Sequence, residues 1–294
     1  MKNFHRNLYD RKMESQHFEP LLAEIERIRS GLRSYPEKTN LDFIRNSAMK
    51  EWLKQDGRKK IVGTMVFEIF NRMQFIIYTN IYKTVNAIDA LTLMYNEKNY
   101  LGWILIGRFI IEQCAVFNYY VTNILAMKPC RNEFLMSELE NLESLLTSYS
   151  HGSRCNWAAL LSGDISNFNQ NPHETIKGKS AINIMTAINH LSRRNSSLND
   201  IEGVYAIFSD FAHPNMASNT TVMNLVQSSA DIQHVEIALR VDKDRGECII
   251  IATLQAICLC LQEIIELAAS MSPTVMHWED ELMQGKIQVH FDSK

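Results

Sequence analysis

Glycine and proline are scarce, at eleven and six in 294 residues, and long stretches hold neither. Few positions therefore end a helix, which argues against a turn-dense all-β architecture. Cysteine is sparse as well. Six occur, at Cys114, Cys130, Cys155, Cys248, Cys258 and Cys260, none in a CxxC spacing and four within apolar segments. That excludes a disulfide framework and points to a reducing, cytoplasmic compartment. No charge of one sign is in excess: the net charge is −3 and the pI near 6.3, so no global basic field gathers nucleic acid. The local basic pieces, Arg58 to Lys60 and Arg193 with Arg194, read as solvated helix ends.

Catalytic signatures are missing too. There is no Walker loop, GxGxxG, HExxH or nucleophile elbow. His151 and Cys155 are the one suggestive metal pair, so neither metal nor cofactor is expected. Met1 to Asp10 has no apolar core and is read as no signal peptide. Two runs are long enough for a membrane, Leu101 to Val121 and Cys248 to Ala269. Arg108, Glu112 and Gln113 interrupt the first, and Gln255, Gln262, Glu263 and Glu266 the second. Charges at mid-depth are expensive in lipid, so both read as helices buried in protein, with no membrane partner.

What is present is helical periodicity. The chain reads as mainly α: a helical bundle around a long helical hairpin, with one small β-hairpin near the C-terminus. Leu21, Leu22, Ile25 and Ile28 mark a first helix closed by Pro36, and a short one runs from Leu41 to Lys54. Lys60 to Tyr95 and Tyr100 to Met127 form the hairpin about a turn at Asn96 to Asn99. Glu133 to Ser150 is amphipathic through Leu135, Leu139, Leu142 and Leu146. A Ser/Asn/Gly-rich loop covers 151–179, with His151, Arg154, Asp164 and His173 read as surface residues. Helices follow over Ala181 to Leu191, Ile201 to Ala212 with Asp200 as N-cap, and Asn219 to Gln227. Alternation through Val235, Ile237 and Leu239, a turn at Asp242 to Gly246 and a return over Glu247 to Ile251 predict a β-hairpin across 234–251. A last helix spans Ala252 to Met271, stopped by Ser272-Pro273. The division is thus 1–58 as an N-terminal extension, 59–273 as the helical domain and 274–294 as a polar tail.

One polar constellation stands out. Arg108 and Glu112 sit one turn apart in the most apolar segment. Tyr205, Ser209 and His213, spaced four and four, put a polar row on one face of another apolar helix. Buried charges must be paired, and the Tyr205 row supplies partners from a second helix. Two readings follow. In one, the cluster is catalytic, with His213 as proton-transfer group and Arg108 as anion stabiliser. In the other, it is a satisfied network fixing helix register. A third is a small-molecule pocket with 151–179 as its lid.

YAIFSDFAHPN, Tyr205 to Asn215, with RFIIE, Arg108 to Glu112, and the later Tyr119 and Tyr120, resembles a group of bacterial helical proteins over roughly residues 60–270. That group is similar in turn to the HEPN superfamily. The resemblance implies a component of a bacterial defence or toxin–antitoxin system acting on RNA, a metal-independent ribonuclease, and a homodimer or other protein partner. It gives His213 and Arg108 the catalytic roles, with Glu112, Ser209 and Tyr205 around them. The chain departs from the HEPN motif in that residues 206–208 are Ala, Ile and Phe, so no arginine precedes His213 at the usual spacing. Arg108 would have to substitute; otherwise the chain is a non-catalytic helical interaction, scaffold or sensor module.

Overall fold

Buried positions along the longest apolar stretch fall at Thr64, Val66, Glu68, Ile69, Phe70, Asn71, Met73, Ile76, Ile77, Asn80, Ile81, Thr84, Ala87, Ile88 and Leu91. From Met73 onward they keep the three-and-four rhythm of a helix with one face in a core, and before it the helix is buried on more than one side. In the computed structural model this is α2, Gly57–Asn96. The structure describes residues 18–36, 38–41, 57–151, 182–213, 223–228, 233–237, 243–283 and 286–290. Within them the order is α1 (Phe18–Leu32), α2, α3 (Tyr100–Ala126), β1 (Glu133–Leu135), α4 (Met136–His151), α5 (Ile184–Arg194), a 3-10 turn (Ser196–Leu198), α6 (Ile201–Ala212), β2 (Met223–Ser228), β3 (Gln233–Ile237), α7 (Lys243–Met283) and β4 (Gln288–His290). The fold is mainly α, as the periodicity implies. The helix expected over Leu41 to Lys54 and the loop 152–179, with Arg154, Cys155, Asp164 and His173, lie outside the described residues.

The chain divides into two compact units. The first is Met1–Glu37, Ile81–Ala115 and Ile188–Ile265, and the second Lys38–Asn80, Val116–Ala187 and Glu266–Lys294. The division falls inside α2, α3, α5 and α7, so each lends one part to each unit.

In the first unit the α2–α3 turn is a Schellman motif. The Lys98 N–H donates to Tyr95 O at 3.1 Å and the Asn99 N–H to Met94 O at 2.9 Å, with Lys98 left-handed at φ 52°. The Asn99 side chain then accepts from the Gly102 N–H at 2.9 Å and caps α3. Helix α1 buries Ile25, Ile28 and Leu32. It is tied down by Arg29 to Asp89 at 2.5 Å and by the Gln262 amide donating to Glu24 at 3.0 Å.

The β-hairpin is real but displaced. β3 covers the start of the expected first strand, yet its antiparallel partner is the upstream β2, with Met223 opposite Ile237 and Ser228 opposite Gln233. The segment expected as a helix over Asn219 to Gln227 is therefore strand from Met223 onward, and the expected return strand, Glu247 to Ile251, is the first part of α7. The Asp/Gly signal at 242–246 misleads for a steric reason. Gly246 lies inside the helix, and a Cβ there would run into the buried ring of Tyr100. The glycine permits close approach rather than a turn.

The expected stop at Pro273 is also overturned: α7 continues to Met283. A proline inside a helix costs about 3 kcal/mol, and in the second unit burial beyond it offsets that cost. Thr274 and Trp278 are buried, and the Trp278 indole N–H donates to Pro129 O at 2.8 Å and packs on Phe134. Part of the stretch read as a polar tail is thus core helix, and Gln288–His290 pairs in parallel with Glu133–Leu135. Leu135, read as core, is exposed in β1; Phe134, Leu139, Leu142 and Leu146 are buried.

The second unit also carries a tyrosine pair. Asn80 donates to the Tyr149 phenol oxygen, and the Tyr120 and Tyr149 rings meet edge-on at 5.0 Å. Burial pushes the Tyr149 phenol up from 10 to about 12. Unfolded tyrosine loses its proton near 10, while the folded phenol keeps it. The stability held below pH 10 should therefore fall as pH climbs toward 12, by at most about 1.4 kcal/mol per pH unit for this group. Unfolding free energies measured across that range should fall less steeply in Tyr149→Phe.

Two described helices are long and apolar enough to cross a membrane, Tyr100–Ala126 and the Arg245–Glu281 part of α7. In their most apolar windows 50% and 44% of residues are buried inside the protein.

Candidate functional site

The polar constellation lies in the first unit, on α3 and α6. Helix α6 buries Ile201, Tyr205 and Phe208, and α3 meets it at a glycine. A Cβ on Gly107 would stand 2.7 Å from the Phe208 ring and 3.0 Å from Ile257. This close approach brings the Arg108 side chain, the next residue along α3, to Tyr205.

There the three polar groups close on one another. Arg108 Nε donates to Glu112 Oε1 at 2.8 Å, and a terminal guanidinium N–H donates to the Tyr205 phenol oxygen at 3.2 Å. The Tyr205 O–H donates in turn to the same Glu112 Oε1 at 2.8 Å. The guanidinium also leans over the Tyr205 ring, 5.4 Å from its centre. The Glu112 carboxylate holds the Arg108 pKa above its ordinary value. Burial, reinforced by the hydrogen bond to Glu112, raises that of Tyr205. The cluster is not sealed: the Arg108 and Glu112 side chains keep 26% and 33% of their exposure.

Ser209 and His213 do not join this contact. Residues advance about 100° each round a helix, so a four-residue step overshoots a full turn by about 40°. Tyr205 is buried, Ser209 half-buried and His213 exposed. The row that spacing places on one face spirals out of the core along its length. His213 ends α6 in extended backbone, φ −96° and ψ 148°, with its N–H on Ser209 O. It lies about 12 Å along the axis from Tyr205. Asp200 precedes α6 without a side-chain cap, and its carbonyl accepts from Gly203 and Val204.

One feature of α3 leaves no mark in the sequence pattern. Leu101, Leu105 and Phe109, also spaced four and four on α3, are 49%, 46% and 41% exposed. Round the helix, Arg108 falls about 20° to one side of Leu101, just outside this apolar stripe, and Glu112 about 20° to the other, in line with the stripe and about one turn beyond Phe109. Among the described residues no group of three or more His, Cys, Asp or Glu could hold a metal ion.

No family model, curated protein or solved structure matches the chain.

Proposed function

We propose that the chain is a non-catalytic helical interaction module, in which Arg108, Glu112 and Tyr205 fix α6 against α3 beside a docking face on α3. One observation carries the reading: the guanidinium's hydrogen bonds within the described residues go to Glu112 and Tyr205, while the stripe beside them is open. An arginine that stabilises a phosphorane must be free to turn its donors to substrate; here Nε and one terminal N–H are held by Glu112 and Tyr205, which fixes the guanidinium against α6. A stripe of three large apolar side chains exposed at helical spacing is the surface a partner helix covers. Cys130 and Cys248, exposed and free, fit a reducing, cytoplasmic setting.

A second reading, an RNA-cutting component of a bacterial defence or toxin system, is favoured by the exposure of His213 where α6 ends. Labelled total RNA incubated with the purified chain and a chelator separates the two. The interaction reading predicts equally intact RNA with wild type and His213→Ala. Cleavage by the wild type that drops about 100-fold or more in His213→Ala would establish the second.

A further inference from the structure

We infer that the occupant of the α3 stripe is a second copy of this chain, with the two α3 helices antiparallel about a two-fold axis at Leu105. The inference rests on the interaction reading above and names its partner.

Three observations converge. First, the stripe is symmetric about its middle residue. An isologous contact places each surface position against its mirror in sequence. With the axis at Leu105, that residue meets its own counterpart, and Leu101 of one copy meets Phe109 of the other. All three are exposed large apolar side chains, so the pairing leaves none of them facing a polar group.

Second, the charges at the ends of the stripe match under the same operation. Lys98 is exposed, one residue before the capping Asn99, and the axis at Leu105 sets it opposite Glu112 of the other copy. Both hydrogen bonds that Glu112 accepts end on Oε1. Its Oε2 takes none from the described residues, and the side chain is a third exposed. A lysine from the second copy completes that carboxylate without disturbing Arg108 or Tyr205. The long, flexible lysine stem suits a position just outside the helix start.

Third, the face is narrow. Leu101, Leu105 and Phe109 span an arc of about 80°, the width of a helix-pairing seam rather than of a broad membrane-lying surface. One seam is at the small end of interfaces, so the dimer is expected to dissociate on dilution.

Sedimentation of the full-length chain across a concentration series tests this. Wild type should move from monomer to dimer as concentration rises. Leu105→Glu, which sets two like charges on the axis, should stay monomeric with unchanged helical circular dichroism, and Leu105→Ser should lie between. Mild oxidation supplies geometry: Leu105→Cys should link to its own copy, whereas Leu101→Cys should link only when mixed with Phe109→Cys, against the wild-type background from native thiols. A monomeric wild type at every concentration overturns the proposal, as does a dimer that Leu105→Glu leaves intact. A monomer that binds anionic lipid vesicles through Leu105 also overturns it, in favour of a lipid surface. RNA cleavage dependent on His213 removes the interaction reading separately, whatever the oligomer.

Discussion

Phe208→Ala is expected to lower stability by about 3–5 kcal/mol, read as a shift in the urea midpoint. Phe208 is fully buried, and its ring sits over Gly107 where α3 and α6 meet. Truncation removes the side chain that fills that gap and leaves a cavity that two rigid helices cannot close. The companion variant has the more informative sign. Gly107→Ala should gain about 0.5–1 kcal/mol from helix propensity alone. Its Cβ would meet the Phe208 ring at 2.7 Å and Ile257 at 3.0 Å, both fully buried and unable to swing aside. Overpacking of this kind costs about 1–3 kcal/mol, so the collision wins and the variant is less stable. A more stable Gly107→Ala would show that α3 and α6 are not in this close contact.

Trp278→Ala should cost about 3–5 kcal/mol as well, followed by circular dichroism in denaturant. Trp278 is buried on the part of α7 beyond Pro273, against Phe134 and the Pro129 carbonyl. Trp278→Phe isolates the hydrogen bond. The Pro129 carbonyl also accepts from the Arg131 N–H at 3.0 Å, so losing the indole does not orphan it, and the cost should be near the bottom of the 1–3 kcal/mol range for a lost partner. A near-neutral Trp278→Ala would restore the reading in which the chain past Pro273 is a solvated tail.

The helices were legible because their signal is local and repeated. The long hairpin from α2 to α3 follows from apolar periodicity and the Asn-rich turn, and α6 matches its expected bounds, Ile201–Ala212. The failures have a common physical form, in which a punctuating residue is overruled by a tertiary contact. Gly246 looks like a turn and is a contact surface for Tyr100. Pro273 looks like a stop, yet Trp278 beyond it holds the helix. Leu135 fits a helical leucine pattern but lies in a strand paired with residues far along the chain, and such pairing leaves no local trace. The partnership of Arg108, Glu112 and Tyr205 was readable from the need to satisfy charges in an apolar helix. The course of Ser209 and His213 was not, because a four-residue spacing suggests one face while the true pitch carries each step further round. Nor was the exposure of Leu101, Leu105 and Phe109. A helix apolar on all sides gives no sign of which side lacks a neighbour.

A double-mutant cycle on unfolding free energy reaches the centre of the account, that Arg108 is held by Tyr205 and does not work with His213. Arg108→Met and Tyr205→Phe should couple by about 0.5–1.5 kcal/mol, while Arg108→Met and His213→Ala should add to within about 0.5 kcal/mol. Additive effects for the first pair together with strong coupling in the second would contradict it.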